Sequence, residues 1–165
     1  LSDTNTLTNT YNYKVFKELY ENNVSTLSIL FKGASSLSND DIKLSERLYI
    51  PGKRLRGFET GKIGPKDGND FIGGNYVSSI NATTTIPTLL ENVQSVDVVL
   101  FADAANIWGV DYDSSLDKNG IRSSVGIGID WLTPVGPLTF SFAHPVTKEP
   151  TDIEQTFRFN IGTSF

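Results

Sequence analysis

The sequence predicts an all-β fold, an antiparallel up-and-down meander of about seven strands. Three observations predict it. Apolar and polar residues alternate along most of the chain, which is the period of a strand with two unlike faces. Tight turns and long links alternate between these runs. No stretch carries the spacing of a helix. The strands are also long, mostly about 9–13 residues where soluble sheets favour about 5–6, and a strand that crosses a bilayer needs about 9–11.

In chain order, residues 7–19 carry Tyr11, Tyr13 and Val15 on one side. A tight turn at 21–23 leads into 24–35, with Leu27, Ile29 and Phe31 on one face. A link at 37–72 follows, and then residues 76–86 alternate with many Ser and Thr. After a modest turn at 87–92, Val96, Val98, Leu100, Ala102 and Ala104 share one face of the next strand. Asp97, Val99, Phe101 and Asp103 share its other face. Beyond a link at 109–119 comes the clearest alternation. There Ile121, Val125, Ile127, Ile129 and Trp131 oppose Arg122, Ser124, Gly126, Gly128 and Asp130. A tight turn at 133–136 joins this to Leu138, Phe140 and Phe142, which alternate with Thr139, Ser141 and Ala143. After a link at 147–152, Phe157, Phe159, Ile161 and Phe165 alternate with Arg158, Asn160, Gly162 and Ser164.

Composition narrows the function classes. A length of 165 residues predicts one domain or a piece of one. The absence of Cys excludes disulfide scaffolds and thiolate metal sites, and a single His, His144, excludes a multi-His centre. With no Met, the sequence reads as a piece of a longer chain. A formal charge of -5 argues against a nucleic-acid partner, which needs a concentrated basic patch. No apolar run reaches the roughly 18 residues of a transmembrane helix. Residues 1–20 lack the apolar core of a signal peptide. A membrane β-barrel escapes both tests, because its strands alternate.

Alternation alone leaves a lipid-facing barrel and a soluble sheet both open. Small and charged residues on the polar faces suit a watered lumen, and Trp131, Tyr13, Phe157 and Phe165 near strand ends suit an aromatic girdle. Short turns at one end and longer loops at the other are the pattern of outer-membrane barrels. The link at 37–72 is expected to lack secondary structure, which in a connection of that length points to function or disorder. Its aliphatic and aromatic residues, including Leu55 and Phe58, suggest packing, and a barrel lumen would be the surface available. Arg56 would then need an acidic partner such as Asp103 or Asp97, since a buried lone guanidinium is costly. An exposed loop with Arg56 in water is the other reading.

Four ordered segments carry a resemblance. Leu55-Arg56-Gly57-Phe58, followed by Gly64-Pro65, resembles the loop-six motif of the BamA family of outer-membrane assembly factors. Residues 101–108, 121–138 and 157–165 resemble that family's following strands, including its Phe-x-Asp strand and its terminal strand. The match is good over residues 44–165, while 1–40 agree in strand pattern alone. The resemblance implies the last seven strands of a sixteen-stranded transmembrane barrel, so that residues 1–165 form the C-terminal part of a barrel domain. The earlier strands and the periplasmic POTRA repeats would lie outside the chain. It implies that Arg56 reaches into the lumen and pairs with Asp103, with Gly57 and Phe58 beside it. Two departures matter. The family's Gly after the Asp is Ala105 here, and an acidic residue expected on the strand after the loop falls near Thr83. That shifts more of the load onto Asp103.

The resemblance also implies a function. The protein would fold and insert other β-barrels into the bacterial outer membrane without enzymatic chemistry, cofactor or metal. Unfolded outer-membrane proteins would be its clients and outer-membrane lipid its surroundings. Assembly-complex lipoproteins would bind through the POTRA part. The terminal strand, carrying Phe157, Phe159, Ile161, Gly162 and Phe165, would form one side of a seam. A client could add its own strand there by β-augmentation. Gly162 either lets that seam kink or avoids crowding in the lumen. The alternatives are a two-partner secretion transporter of the same superfamily and a passive porin. No nucleophile constellation surrounds His144, and the Asp111, Asp113 and Asp117 loop lacks the pattern of a calcium site.

Overall fold

The computed structural model of the protein describes residues 5–38, 40–87, 95–117, 119–134 and 136–162. Phe165, named above at the end of the terminal strand, lies outside them. Seven long strands build one antiparallel sheet. They are β1 (Thr6–Lys17), β2 (Ser25–Ser36), β6 (Tyr76–Thr85), β7 (Val96–Trp108), β8 (Arg122–Thr133), β9 (Gly136–Thr147) and β11 (Phe157–Ile161). The spatial order is the chain order, β1-β2-β6-β7-β8-β9-β11, so β1 and β11 are the two edges.

The alternation read from the sequence sorts the side chains by face. On β8, Arg122, Ser124 and Gly128 are buried on the concave side, while Val125, Ile127, Ile129 and Trp131 are exposed on the convex side. On β7, Val99, Phe101, Asp103, Ala105 and Ile107 turn inward. The exposed convex face is therefore apolar. Near the long-loop end its aromatic rings form a row. Tyr11, Phe31, Tyr76 and Trp108 lie with neighbouring centroids 5.7–6.4 Å apart. His144 is an exposed strand residue on this same face, opposite Val125.

The long link is not the structureless loop expected from the sequence. It holds short 3-10 turns at Leu44–Glu46 and Gly52–Arg54, the two-residue strand β3 (Gly57–Phe58), and a miniature hairpin of β4 (Lys66–Asp67) and β5 (Asp70–Phe71). Its apolar residues explain the difference: they pack, so their backbone must find hydrogen bonds away from water. Ile50, Leu55, Phe58 and Ile63 join Val77, Ala105 and Ile107 of the sheet in one buried cluster. Burying each of these large side chains contributes about 1.5–3 kcal/mol. The core of this chain is thus the long loop pressed into the concave face.

Within the described residues β11 pairs with β9 from Phe157 opposite Phe142 to Ile161 opposite Leu138, and main-chain bonds from the Ala143 N–H to the Thr156 carbonyl and from the Gly162 N–H to the Pro137 carbonyl, each 2.8 Å, extend the seam at both ends. Just before it, β10 (Glu154–Gln155) leaves the wall and pairs with β3 of the long loop, Glu154 opposite Phe58 and Gln155 opposite Gly57. At the other end the backbone bends at Gly162, with φ of 93°. That left-handed backbone favours glycine, and among the described residues a Cβ there would meet nothing within 4 Å.

Candidate functional site: the loop clamp in the lumen

Arg56 and Asp103 meet at the centre of the concave face. The short turn at Gly52–Arg54 and the strand at Gly57–Phe58 aim Arg56 toward β7. Gly57 permits this approach in two ways. Its φ is 90°, and a Cβ would sit 3.2 Å from that of Ala143 and 3.3 Å from that of Ser124. The ion pair is bidentate: Arg56 Nε donates to Asp103 Oδ2 at 2.7 Å and Nη2 donates to Oδ1 at 2.7 Å. The backbone N–H of Arg56 adds a third bond to Oδ2 at 3.1 Å. The Asp103 side chain is fully buried. The guanidinium also lies 3.5 Å from the centroid of the Phe101 ring, a close cation–π contact. Phe101 has room because Gly126 faces it across the strands; a Cβ on Gly126 would fall 2.4 Å from Phe101 Cζ.

Asp97, the other candidate partner, stands opposite Asp130 near the short-turn end and is exposed. No acid stands at Thr83, which faces Phe101 across the strands. Asn81 supplies the missing support. Its Nδ2 donates to Asp103 Oδ1 at 2.9 Å and to the Arg54 carbonyl at 2.8 Å. Arg54 in turn donates to Ser28 Oγ at 2.6 Å, to Asn81 Oδ1 at 3.2 Å and to Asn12 Oδ1 at 2.9 Å. Asn81 and Arg54 did not stand out in the sequence, because neither belongs to the quoted motif. The only signal was Asn81 on the polar face of its strand, directly opposite Asp103.

A second buried pair fixes the flank. Arg122 donates to Asp152 at 2.9 and 3.2 Å with both side chains fully buried. Asp152 also accepts the N–H of Gly64 at 3.3 Å and that of Glu149 at 2.7 Å. At the loop end, Arg47 pairs with Asp111, whose Oδ2 accepts the Ile42 N–H at 2.8 Å. Burial alone would push the Asp111 carboxyl up. The Ile42 N–H, the Asn75 side chain and the Arg47 guanidinium outweigh it and hold the group below the usual carboxylate range.

The structure puts Phe157, Phe159 and Ile161 on the exposed convex face of β11 and does not join them to the clamp. Phe157 and Phe159 pack on Phe142 and Phe140, each at 4.9 Å between centroids. Among the described residues no group of three or more His, Cys, Asp or Glu is placed to hold a metal ion. The arrangement holds a loop in place by charge and hydrogen bonds.

An open antiparallel sheet with an apolar convex face and a charged loop clamped into its concave face defines a class of outer-membrane β-barrel protein. The chain belongs to the Omp85 superfamily, whose domain model matches residues 1–165. Its relatives include the outer membrane protein assembly factor BamA of Neisseria meningitidis, 32% identical over 154 residues and covering 76% of this chain. BamA of Neorickettsia risticii is 26% identical and covers 86% of it, and a SAM50-like protein of Schizosaccharomyces pombe is 28% identical and covers 85%. The crystal structure of BamA from Haemophilus ducreyi lacking POTRA domains 1-3 is similar over 95% of this chain, with a TM-score of 0.86 and 25% identity. The chain spans about a fifth of the two BamA relatives and 35% of that solved chain. Like its BamA relatives, it is a protein of the outer membrane.

Proposed function

We propose that this chain is the C-terminal barrel part of an assembly factor that folds and inserts β-barrel proteins into the bacterial outer membrane. The clamp of Arg56 on Asp103 carries the reading, since it seats a folded loop inside the sheet beside the edge strand β11. A sheet edge offers its backbone N–H and C=O groups to an incoming strand. The loop, clamped from behind, keeps the concave side of that edge in shape. Catalysis here lowers the barrier to insertion and needs no covalent step, cofactor or metal. Clients are unfolded outer-membrane proteins, lipid surrounds the convex face, and lipoprotein partners attach through POTRA repeats outside this chain. The similarity to BamA relatives from several bacteria supports this assignment.

The test is client folding. The complete protein is placed in liposomes with an unfolded β-barrel client, and folding is followed by the gel shift of the closed barrel. Faster folding than in empty liposomes supports the reading, and Arg56→Ala or Asp103→Ala should lose most of the gain. Transfer of a soluble partner across the bilayer, with no gain in barrel folding, would replace it with secretion. Passage of small solutes alone would leave a porin.

A further inference from the structure

We propose that Arg158 is a positioning residue that latches the tip of the long loop to the terminal strand, so that the two are released together. Arg158 sits on the concave face of β11, opposite Ser141. Its guanidinium donates to the carbonyl of Gly52 and, at 2.5 Å, to that of Phe58. Those two carbonyls lie at either end of the arch 52–58 whose middle carries Arg56. One side chain of the edge strand therefore holds both feet of the arch that reaches Asp103. Gln155 Oε1 accepts from Nε at 3.3 Å and from Nη2 at 3.0 Å, which fixes the fork in its plane.

Three other contacts point the same way. Gly52 offers bare backbone at the contact, where a Cβ would lie 2.5 Å from Arg158 Nη1. β10 pairs with β3, and the Glu59 N–H donates to the Ile153 carbonyl at 2.8 Å, so the chain entering β11 is already tied to the loop. The acceptors are main-chain carbonyls, so what the site requires is the planar fork of Arg with its several donors. A Lys ammonium is a single point that cannot span both. Coupling between loop and strand follows from the contacts themselves. Its consequence for client insertion, that an edge strand cannot open while the loop is seated, rests on the function proposed above.

The experiment is a double-mutant cycle on the complete protein in lipid vesicles, read by backbone hydrogen exchange at Phe157–Ile161. Arg56→Ala frees the loop from Asp103 without touching β11. With Arg158 present it should speed exchange in β11 by about 10-fold or more, and in an Arg158→Ala background it should add markedly less, the remainder being carried by the pairing of β10 with β3. Arg158→Lys should behave as Arg158→Ala does. Unchanged β11 exchange in Arg56→Ala, an equal gain in both backgrounds, or full retention by Arg158→Lys would each overturn the latch. Should Arg158→Ala fail to fold, Arg158→Gln takes its place in the cycle with the same outcomes. A protein that shows the coupling yet does not speed client folding would sink the assembly reading and leave the latch standing.

Discussion

Removing the Arg56 guanidinium would leave the fully buried Asp103 carboxylate without its cation, held by the Asn81 amide and one backbone N–H. Breaking a buried pair in this way costs about 3–5 kcal/mol, well above the loss of one neutral hydrogen bond. Arg56→Ala should therefore expose the segment 52–64 to added protease in the folded protein, while Arg56→Lys, which keeps the charge and loses the fork, should fall between. Unchanged protease resistance in Arg56→Ala would count against a clamp. Gly126 tests the same site from behind. Gly126→Val would drive its side chain into the Phe101 ring and against the Phe142 carbonyl of β9, and overpacking of this kind costs about 1–3 kcal/mol. Its expected signature is loop release without any change to the charged residues, read by the same proteolysis. Asp111 gives the clamp region a pH dependence. Its carboxyl is held below the ordinary range in the folded protein, so its contribution is complete above that range and is lost as pH falls through it. Exchange of the Ile42 N–H, corrected for the intrinsic rate, should rise in acid, and Asp111→Asn should remove the step.

Strands differ in how firmly they are held. β7 is paired on both sides along most of its length, from Val96 opposite Trp131 to Trp108 opposite Tyr76. Among the described residues β1 and β11 are each paired on one side. Amides in the middle of β7 should exchange on the order of 100-fold more slowly than those of β11, and comparable rates would show that the edge is sealed in the complete protein. These elements also mark what the sequence could tell. Residues 96–104 and 121–131 were legible because one face of each is apolar and exposed and the other turns toward the loop, so polarity changes with every residue. The Arg56–Asp103 contact was legible only through the resemblance, since the polar face of that strand offered Asp97 as well. The departure of 154–155 from the wall was not legible at all. It depends on Gly57–Phe58, nearly a hundred residues earlier, presenting free backbone in the lumen, and main-chain pairing leaves no mark on side-chain type.

Across the whole molecule, the convex face is apolar and exposed, and the proposed function requires it to meet hydrocarbon while the concave face does not. Ile127→Arg, on the convex side of β8, should cost about 2–4 kcal/mol of stability in vesicles, whereas Thr139→Arg, which points inward on β9, should be tolerated. Equal costs in a urea titration of the complete protein would mean that the assignment of faces is wrong. The molecule is also held together by contacts between parts distant in sequence. Arg56 meets Asp103 across 47 residues, and Arg158 meets Gly52 across 106. Contacts of that range are slow to form, because the chain between them must be closed into a loop first. The Gly52–Phe58 arch enters the concave face early in the sequence, and β10 and Arg158 then close over it. Were the terminal strand to dock first, it would bar the arch from its seat. This gives the chain a preferred order of assembly in time, with the last strand arriving last, and a misordered chain would have to undo its final strand before it could mature.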